Sequence, residues 1–525
     1  MKIKIYIISS LLCMGITFSS CTDWLTTKPE SEIILDEFWQ SETDVESVVA
    51  SCYRAMTEAD VISRMIIWGE LRSDNLTLGS LSGSGSPIVK ILNGEINADN
   101  AIASWSAFYT VINYCNTVLY YAPGVTKVDG NFTQADLLRT QAEVKAIRAL
   151  CYFYLVRAFK EVPWIEDASV TDTQNYDKGK ETEETIINHI IEDLLFARQY
   201  APSDYGRTDY NKGRVTRNMV NSLLADVYLW NQNYDGCVSA CDAVLADKNL
   251  SLVNGENTLS RVFYIGNSSE SIFELQFSDT EIYNSAVYNF YGGYGFYGYL
   301  SFPATLKYEP YETENATGVY SPFNYVLSGS IKESENDIRA KDSYFNYSGI
   351  YFIFKYAGVS RVENSSKTGS SYTFRSTTAN WIIYRLSDVM LMKAEALVQL
   401  GGDENYKKAL ALVNTTYLRS NEGESELSID NYTTQSAMAN LVLRERQREL
   451  LFEGKRWFDL MRIARRENST STINDYMNHK SSGNSVSLGV TTLNALYMPI
   501  YQSELNANPN LEQNPYYKTN STSDR

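Results

Sequence analysis

The chain has 525 residues, of which 44% are apolar, so it can bury a large core in one to three domains. It carries 46 lysines and arginines against 63 aspartates and glutamates, which gives a net charge of -17 at pH 7. This acidic balance gives the chain no electrostatic reason to bind nucleic acid or anionic lipid.

The N-terminus has the three-part build of a secretory signal. Two lysines precede an apolar core over residues 5–18, which is too short to span a bilayer, and two serines follow. Cys21 comes next, which resembles the lipobox of bacterial lipoproteins, where the cysteine is acylated and becomes the first mature residue. We predict a signal peptide over residues 1–20 and a lipid anchor, palmitate included, on Cys21. The alternative is an ordinary cleaved signal with an incidental cysteine.

Helical periodicity dominates outside the middle of the chain, so we predict a mainly α fold. The predicted helices cover residues 44–56, 105–121, 135–159, 183–200, 215–230, 234–245, 382–400, 406–418 and 437–464. Residues 215–246 and 384–414 each predict two helices joined by a short break, as in tetratricopeptide-like repeats. Small residues stand at the expected crossing points, namely Ala225, Ala240, Ala394 and Ala409. Residues 135–200 and 105–121 extend this stack.

The stretch over roughly 250–380 has a different composition. Glycines, serines and aromatics are frequent there, helical spacing lapses, and residues 271–277 predict a strand. Residues 465–525 also look irregular. We therefore predict a helical frame over roughly 40–250 and 380–465 that carries a loop-rich, strand-poor excursion, and excursions of this length are usually functional.

Motifs for catalysis are missing from the sequence. Its two histidines, His189 and His479, belong to no HExxH and to no cluster with metal-ligand spacing. No GxSxG, P-loop or GxGxxG occurs, and nothing singles out a pair of acids for glycoside hydrolysis. We expect no enzyme activity, no cofactor and no metal.

The cysteines beyond Cys21 lie in apolar helical contexts. They are Cys52, Cys115, Cys151, Cys237 and Cys241. An odd number cannot pair completely within one chain, and no histidine lies near Cys237 and Cys241 to complete a metal site. We expect all five to be small buried hydrophobes.

A run of tyrosines and glycines between residues 283 and 311 is the main candidate for a ligand site. Tyrosine offers a flat apolar face and a hydroxyl, which suits stacking on a sugar ring, and the same chemistry serves peptides. The candidate residues are Tyr288, Tyr291, Tyr294, Phe296, Tyr297 and Tyr299. The alternative is that these aromatics only pack a loop onto the helices.

Two further segments carry clustered polar residues. In residues 68–80, Arg72, Asp74 and Asn75 form either the mouth of a site or a capped helix C-terminus. In residues 444–466, arginines and glutamates alternate among large apolar residues. That pattern favours structural ion pairs over a basic patch for nucleic acid or membrane.

Residues 444–466 also resemble the signature of a known family. "RQRELLFEGKRWFDLMR" resembles the C-terminal signature of the SusD/RagB family, the surface nutrient-binding lipoproteins of Bacteroidetes. Other segments agree in the expected order: "DEFWQSETDVESVVASCYRAM", "GELRSDN", "WSAFYTVINYCNTVL", "AEVKAIRALCYFYLVRAFKEVPW", "GRVTRNMVNSLLADVYLWNQNYDGC", "YRLSDVMLMKAEAL" and "LYMPIYQSELNANPNLEQNPYY". The resemblance implies one SusD-like domain over residues 21–525, built on four tetratricopeptide-like helix pairs.

The resemblance also implies a function. Such proteins lie on the outer membrane facing the exterior, and they pass oligosaccharides, or in some members peptides, to a TonB-dependent SusC-like transporter without chemical change. Their ligand meets an aromatic arc drawn from the segment after "SDN" and from the middle excursion. Alternatives for this chain are an oligopeptide-binding member, a surface glycoside hydrolase, or a scaffold that holds proteins on its helical repeats.

Overall fold

The computed structural model describes residues 38–79, 86–170, 173–306, 321–324, 326–328, 331–333, 337–363, 370–480 and 489–520. The predicted signal peptide and Cys21 lie outside these described residues. Of the helices in the described ranges, none combines the length and the hydrophobicity that crossing a membrane requires.

Most of the described chain is helical, which confirms the mainly α prediction. Several helices begin at a capping side chain: Ser41 and Thr133 each form a capping box with the aspartate three residues later. The helices are α1 (Glu42–Met56), α2 (Ala59–Ile66), α3 (Pro87–Leu92), α4 (Ser106–Val125), α5 (Gln134–Phe159), α6 (Glu183–Tyr200), α7 (Thr208–Gly213), α8 (Arg217–Trp230), α9 (Tyr234–Leu245), α10 (Ser285–Tyr291), α11 (Ile338–Ser343), α12 (Leu386–Leu400), α13 (Asp403–Ser420), α14 (Gln435–Leu450), α15 (Arg456–Glu467), α16 (Ser471–His479), α17 (Gln502–Ala507) and α18 (Pro515–Asn520).

The long helices pack in pairs, and the pairs follow one another along the chain. As predicted, α5 packs on α6, α8 on α9 and α12 on α13, while α1 and α4 form a fourth pair. Contacts of α4 with α5, α6 with α8, and α9 with α12 join the pairs into one stack. Ala225, Ala240, Ala394 and Ala409 are all buried, which lets the helices approach closely. The tetratricopeptide-like arrangement is thus confirmed.

The strands are short, and nearly all lie between residues 271 and 385. They are β1 (Thr77–Leu78), β2 (Ser271–Leu275), β3 (Gly292–Gly293), β4 (Phe296–Tyr297), β5 (Leu300–Phe302), β6 (Val326–Ser328), β7 (Ile331–Lys332), β8 (Tyr344–Tyr347), β9 (Ile350–Ile353), β10 (Gly358–Glu363), β11 (Ser370–Phe374) and β12 (Trp381–Arg385). One antiparallel sheet has the order β1-β5-β9-β8, and the other strands form two-stranded ladders. Through β1, this sheet ties the N-terminal helices to the excursion.

Three sequence predictions need correction. Residues 382–385 were predicted as helix, but they belong to β12, which pairs with β2. The predicted helix over 437–464 is two helices, because Phe452 and Gly454 have φ of 67° and 70° in the turn between α14 and α15. Apolar spacing is similar on both sides of that turn, so periodicity alone does not detect it. Residues 465–525, expected to be irregular, contain three short helices.

Helix α14 buries four of its five charged residues in ion pairs with the excursion, β12 and α13, and the fifth, Arg446, pairs with Asp388 and Asp459. This buried ion network contains Glu270, Glu333, Asp337, Glu445, Glu449, Glu453, Arg339, Lys355, Arg385, Arg419, Arg444 and Arg448. Its anions and cations are equal in number, which is the condition under which buried charges are tolerated. The structural interpretation of residues 444–466 is therefore confirmed.

The cysteines also lie where the sequence predicted. All five described cysteines are free and buried. Cys237 and Cys241 lie on α9, fully enclosed in the apolar core. They act as small apolar side chains.

Candidate ligand-binding site

The chain after "SDN" lies directly against the tyrosine and glycine run. Thr77 and Leu78 pair with Ser301 and Leu300, and the Gly79 amide donates to the Tyr299 carbonyl at 2.7 Å. A Cβ atom on Gly79 would lie only 2.6 Å from the Gly298 carbonyl oxygen. The two regions that the sequence singled out for ligand binding are therefore neighbours in space.

Glycines allow the tyrosine run to fold back on itself. Helix α10 ends at Tyr291; the next residue, Gly292, has a φ of 101°, and the chain returns through the β3–β4 hairpin. A Cβ on Gly298 would lie 2.3 Å from the Phe290 carbonyl oxygen, so only glycine fits there. The glycines are thus required by close backbone approach, and they hold the tyrosines between them in fixed positions.

Four of the predicted aromatics form one surface, which we call the tyrosine face: Tyr288, Tyr294, Phe296 and Tyr299. The Tyr288 and Phe296 rings stack at 5.5 Å and 20°, and the Tyr299 ring meets Phe296 edge-on at 5.6 Å. The Tyr288 hydroxyl donates to the Tyr294 carbonyl at 3.0 Å. Tyr294 itself is 78% exposed. The tyrosine face thus combines the exposed ring of Tyr294 with three half-buried rings on a hydrogen-bonded hairpin.

Tyr297 lies on the opposite side of the hairpin from Phe296, because successive residues of a strand point to opposite faces. Its ring stacks on Phe352 at 4.9 Å and lies 5.0 Å from the exposed ring of Tyr347. Beneath them is a small apolar core that includes Phe345 and Phe354. The predicted aromatics therefore occupy two surfaces rather than one.

Tyr291 is part of the core. It is 1% exposed, its hydroxyl donates to the Phe452 carbonyl at 3.1 Å, and its ring contacts those of Tyr356 and Phe452. Burial raises the pKa of this hydroxyl well above its usual value. Tyr291 anchors α10 to the turn between α14 and α15, and no ligand reaches it.

Arg72, Asp74 and Asn75 are buried as well. The Arg72 guanidinium donates to the carbonyls of Leu496 and Ala495 at 2.6 and 2.7 Å. Asp74 pairs with Arg456 at 2.8 Å, and the Asn75 amide donates to Glu70 at 2.7 Å. This is a structural network at a helix end, so we leave these three side chains out of the proposed site.

Glu70 is the centre of that network. Its carboxylate accepts the backbone amides of Phe452, Lys455 and Arg456 at 3.1, 3.0 and 3.3 Å. These bonds fix the turn between α14 and α15 against residues 67–71, a π-helical turn that continues α2 and precedes "SDN". The segment consequently positions β1, and through β1 the tyrosine face.

Sequence reasoning missed two exposed rings beside this region, Tyr264 and Tyr347. Tyr347 is 54% exposed at the tip of the β8–β9 hairpin, where Ser348 and Gly349 have positive φ. Tyr264 is 38% exposed and lies over the Arg375 guanidinium at 5.2 Å. The signal that could have found Tyr347 is similar to that in the main run, a tyrosine two residues before a glycine.

Two cavities lie away from the tyrosine face. One of about 760 Å³ lies between α1 and α7 and is lined by Val49, Tyr53 and Tyr210 among others. The other, of about 690 Å³, is lined by residues that include Asn254, Lys341 and Arg419. Neither includes the tyrosine face, where a ligand would lie on the rings as on a platform.

Comparison with known proteins identifies the relatives of this chain. The SusD family model matches residues 192–517, and a model described as starch-binding and associating with the outer membrane matches residues 23–229. A SusD-like protein of Formosa agariphila is 24% identical over 97% of both chains, and one of Bacteroides ovatus is 25% identical over 87% of this chain and 83% of its own.

Solved structures show the same fold. A SusD superfamily protein from Bacteroides vulgatus superposes with a TM-score of 0.69, at 21% identity over 90% of this chain and 99% of its own. NanU of Bacteroides fragilis superposes with a TM-score of 0.66, at 20% identity over 93% of this chain and all of its own. Because one family model covers more than half of the chain and the helical stack agrees with it, the chain belongs to the SusD family.

Proposed function

We propose that this protein is a glycan-binding lipoprotein of the outer membrane that hands oligosaccharides to a SusC-like TonB-dependent transporter without changing them chemically. The observation that carries the proposal is the tyrosine face, one exposed and three half-buried rings on a hydrogen-bonded hairpin, in a chain of the SusD family. Family descriptions that name starch binding and the outer membrane support it.

The expected affinity of the tyrosine face suits release of the ligand to a transporter. Each aromatic ring stacked on a sugar contributes about 1 kcal/mol, so the four rings of the tyrosine face together contribute about 4 kcal/mol, which corresponds to a Kd of about 1 mM before hydrogen bonds add to it. Such a complex dissociates readily and can release its ligand to a transporter.

The deciding experiment incubates the purified soluble form, beginning after Cys21, with a panel of oligosaccharides and short peptides. Calorimetry measures binding, and chromatography follows the length of each ligand. We expect at least one oligosaccharide to bind and to keep its length. Shortening of the glycan would instead indicate a surface glycoside hydrolase, and binding of peptides alone would indicate an oligopeptide receptor.

The anchor and the partner need separate tests in cells. Replacement of Cys21 by serine should release the protein from the outer membrane into a soluble fraction, while the wild type stays with the membrane. Pull-down of the wild type from solubilised outer membranes should recover a TonB-dependent transporter. Recovery of unrelated proteins through the helical repeats would favour the scaffold alternative.

A further inference from the structure

The segments that form the tyrosine face and the β8–β9 hairpin contain no charged side chain. Residues 282–306 contain no lysine, arginine, aspartate or glutamate, although 21% of the whole chain is charged and a stretch of that length would hold about five such residues. Residues 343–354, which form the neighbouring β8–β9 hairpin and its tyrosines, contain none either. The polar groups that these segments offer are hydroxyls and amides.

A cation that lies against this surface, Arg375, is buried and already bonded. The Arg375 guanidinium donates to the carbonyls of Phe263 and Thr378 at 2.5 and 2.6 Å, and the residue is 7% exposed. Its backbone carbonyl accepts the Tyr294 amide, so it lies beneath the tyrosine face rather than on it. Lys355, farther along, is buried in an ion pair with Glu453.

Exposed charge near the start of the run is acidic. Asp279 and Glu281 are exposed just before residue 282, and the chain as a whole carries -17. An anionic ligand on the tyrosine face would meet no exposed cation among the described residues of segments 282–306 and 343–354, and it would be repelled by the field of the molecule. Binding proteins for carboxylated or sulfated ligands use arginine or lysine at the contact instead.

We infer that the ligand of the tyrosine face is an uncharged oligosaccharide, held by ring stacking and by hydroxyl and amide hydrogen bonds, and that the face discriminates against sulfated and uronic acid glycans. This inference rests on the proposed function and adds the substrate class to it. Binding without charge pairs is also insensitive to salt, because there is no Coulomb interaction to screen.

The test compares neutral oligosaccharides with sulfated and carboxylated oligosaccharides of the same backbone and length, each at 20 and 500 mM salt (about a 15 Å change in screening length). We expect a neutral glycan to bind with a Kd that changes less than about twofold with salt, and its charged counterparts to bind at least about tenfold more weakly. Tighter binding of a charged counterpart, weakening with salt, would overturn the inference and leave glycan binding intact. Failure of every glycan to bind would overturn the proposed function itself.

A variant that adds a positive charge beside the tyrosine face tests whether the glycan binds there. Asn289 is exposed at the end of α10 beside the tyrosine face, and its side chain is not part of the core. The Asn289→Lys variant should improve binding of the sulfated counterpart at low salt and lose that gain at high salt, while Tyr120→Lys, at a 62% exposed position on α4, should change neither ligand. An unchanged preference in Asn289→Lys would place the glycan away from this face and contradict the assignment.

Discussion

Tyr291 and Tyr294 are three residues apart and have opposite roles. Tyr291 is 1% exposed and bonded to the Phe452 carbonyl, whereas Tyr294 is 78% exposed. The residue type is the same, and its surroundings alone decide whether the ring stabilises the fold or is available to a ligand. For this reason a count of tyrosines predicts a region but not its contact residues.

Single substitutions should separate these two roles. Tyr294→Ala should weaken binding of the glycan by about 1 kcal/mol, or roughly fivefold, and leave the free energy of unfolding almost unchanged. Tyr291→Phe keeps the ring but removes the buried hydrogen bond, so it should cost about 1 kcal/mol of stability and leave affinity unchanged. Calorimetry and denaturant unfolding measure the two effects. Equal loss of affinity in both variants would contradict the assignment.

Glu449 bridges several cations of the buried ion network. Its carboxylate pairs with Arg385 at 2.5 Å and Arg339 at 2.9 Å, and also with Arg419. Glu449→Ala leaves these guanidinium groups with uncompensated positive charge, so we expect a loss of about 3 to 5 kcal/mol in the free energy of unfolding. Glu404→Ala, which removes an exposed partner of Lys407, is the control and should leave the unfolding midpoint unchanged. Similar midpoints for the two variants would show that the network adds little.

Among the elements, the turn between α14 and α15 contacts a helix end over residues 67–71, which precedes "SDN". Gly69 in this helix end contacts Gly454 in the turn so closely that a Cβ on Gly69 would lie 2.0 Å from the Gly454 carbonyl oxygen. Glu70 then accepts the amides of the same turn. Two elements far apart in the chain are thereby locked together beneath β1, and this contact sets the position of the candidate site.

Substitution at this contact should be costly. Gly69→Ala has no room for its methyl group against a backbone oxygen, so the backbone must shift, at about 2 to 4 kcal/mol. Gly124→Ala is the matched control, since Gly124 is in α4 with nothing within 4 Å of its would-be Cβ, and alanine favours helix. Thermal unfolding should show a lower midpoint for Gly69→Ala and an equal or higher one for Gly124→Ala. A tolerated Gly69→Ala would contradict the close approach.

At the scale of the whole molecule, charge is distributed unevenly. The excess of acids gives the net charge of -17, several arginines are buried in ion pairs, and residues 282–306 carry no charge. Charge pairs thus join the helical frame to the excursion, and the hairpin that carries the tyrosine face offers only uncharged groups to solvent. The single-domain organisation remains a prediction, although one buried apolar cluster reaches from Trp39 to Ile500.

Acid should unfold the protein through the buried carboxylates. Burial alone would raise the pKa of Glu333, but the positive charges of Arg448 and Arg444 outweigh it and lower the pKa to about 2. The pKa of Asp388 is likewise lowered to about 2 by Lys455 and Arg446 against the effect of burial. A lowered folded pKa gives stability that is present above the unfolded value and lost as the pH falls through the folded value. For Glu333 this amounts to roughly 3 kcal/mol at neutral pH.

Unfolding midpoints measured between pH 7 and pH 2 check this prediction. We expect little change down to about pH 5 and a steep fall between about pH 4.5 and pH 2. Glu333→Gln should be less stable at pH 7 and should show a shallower fall, whereas Glu404→Gln should keep the wild-type slope. A wild-type midpoint that is constant down to pH 2.5 would contradict the role of the buried network.

Local sequence patterns were enough to predict the helical pairs, the family and the structural role of residues 444–466. These features depend on local spacing: apolar residues at helical intervals mark the paired helices, and alternating arginines and glutamates among apolar residues can only be buried as ion pairs. The same reasoning located the tyrosine run, because glycine beside tyrosine is unsuited to a regular helix or strand.

Which side chains face solvent depends on contacts between segments that are distant in the sequence. Arg72, Asp74 and Asn75 have the composition of a site, yet their partners come from residues 447, 456, 495 and 496, far along the chain, and those contacts bury them. Phe296 and Tyr297 are adjacent in sequence, and the pairing of β3 with β4 sends their rings to opposite sides. Burial arises from contacts between distant segments, which local patterns do not encode, so the surface available to a ligand is set by packing.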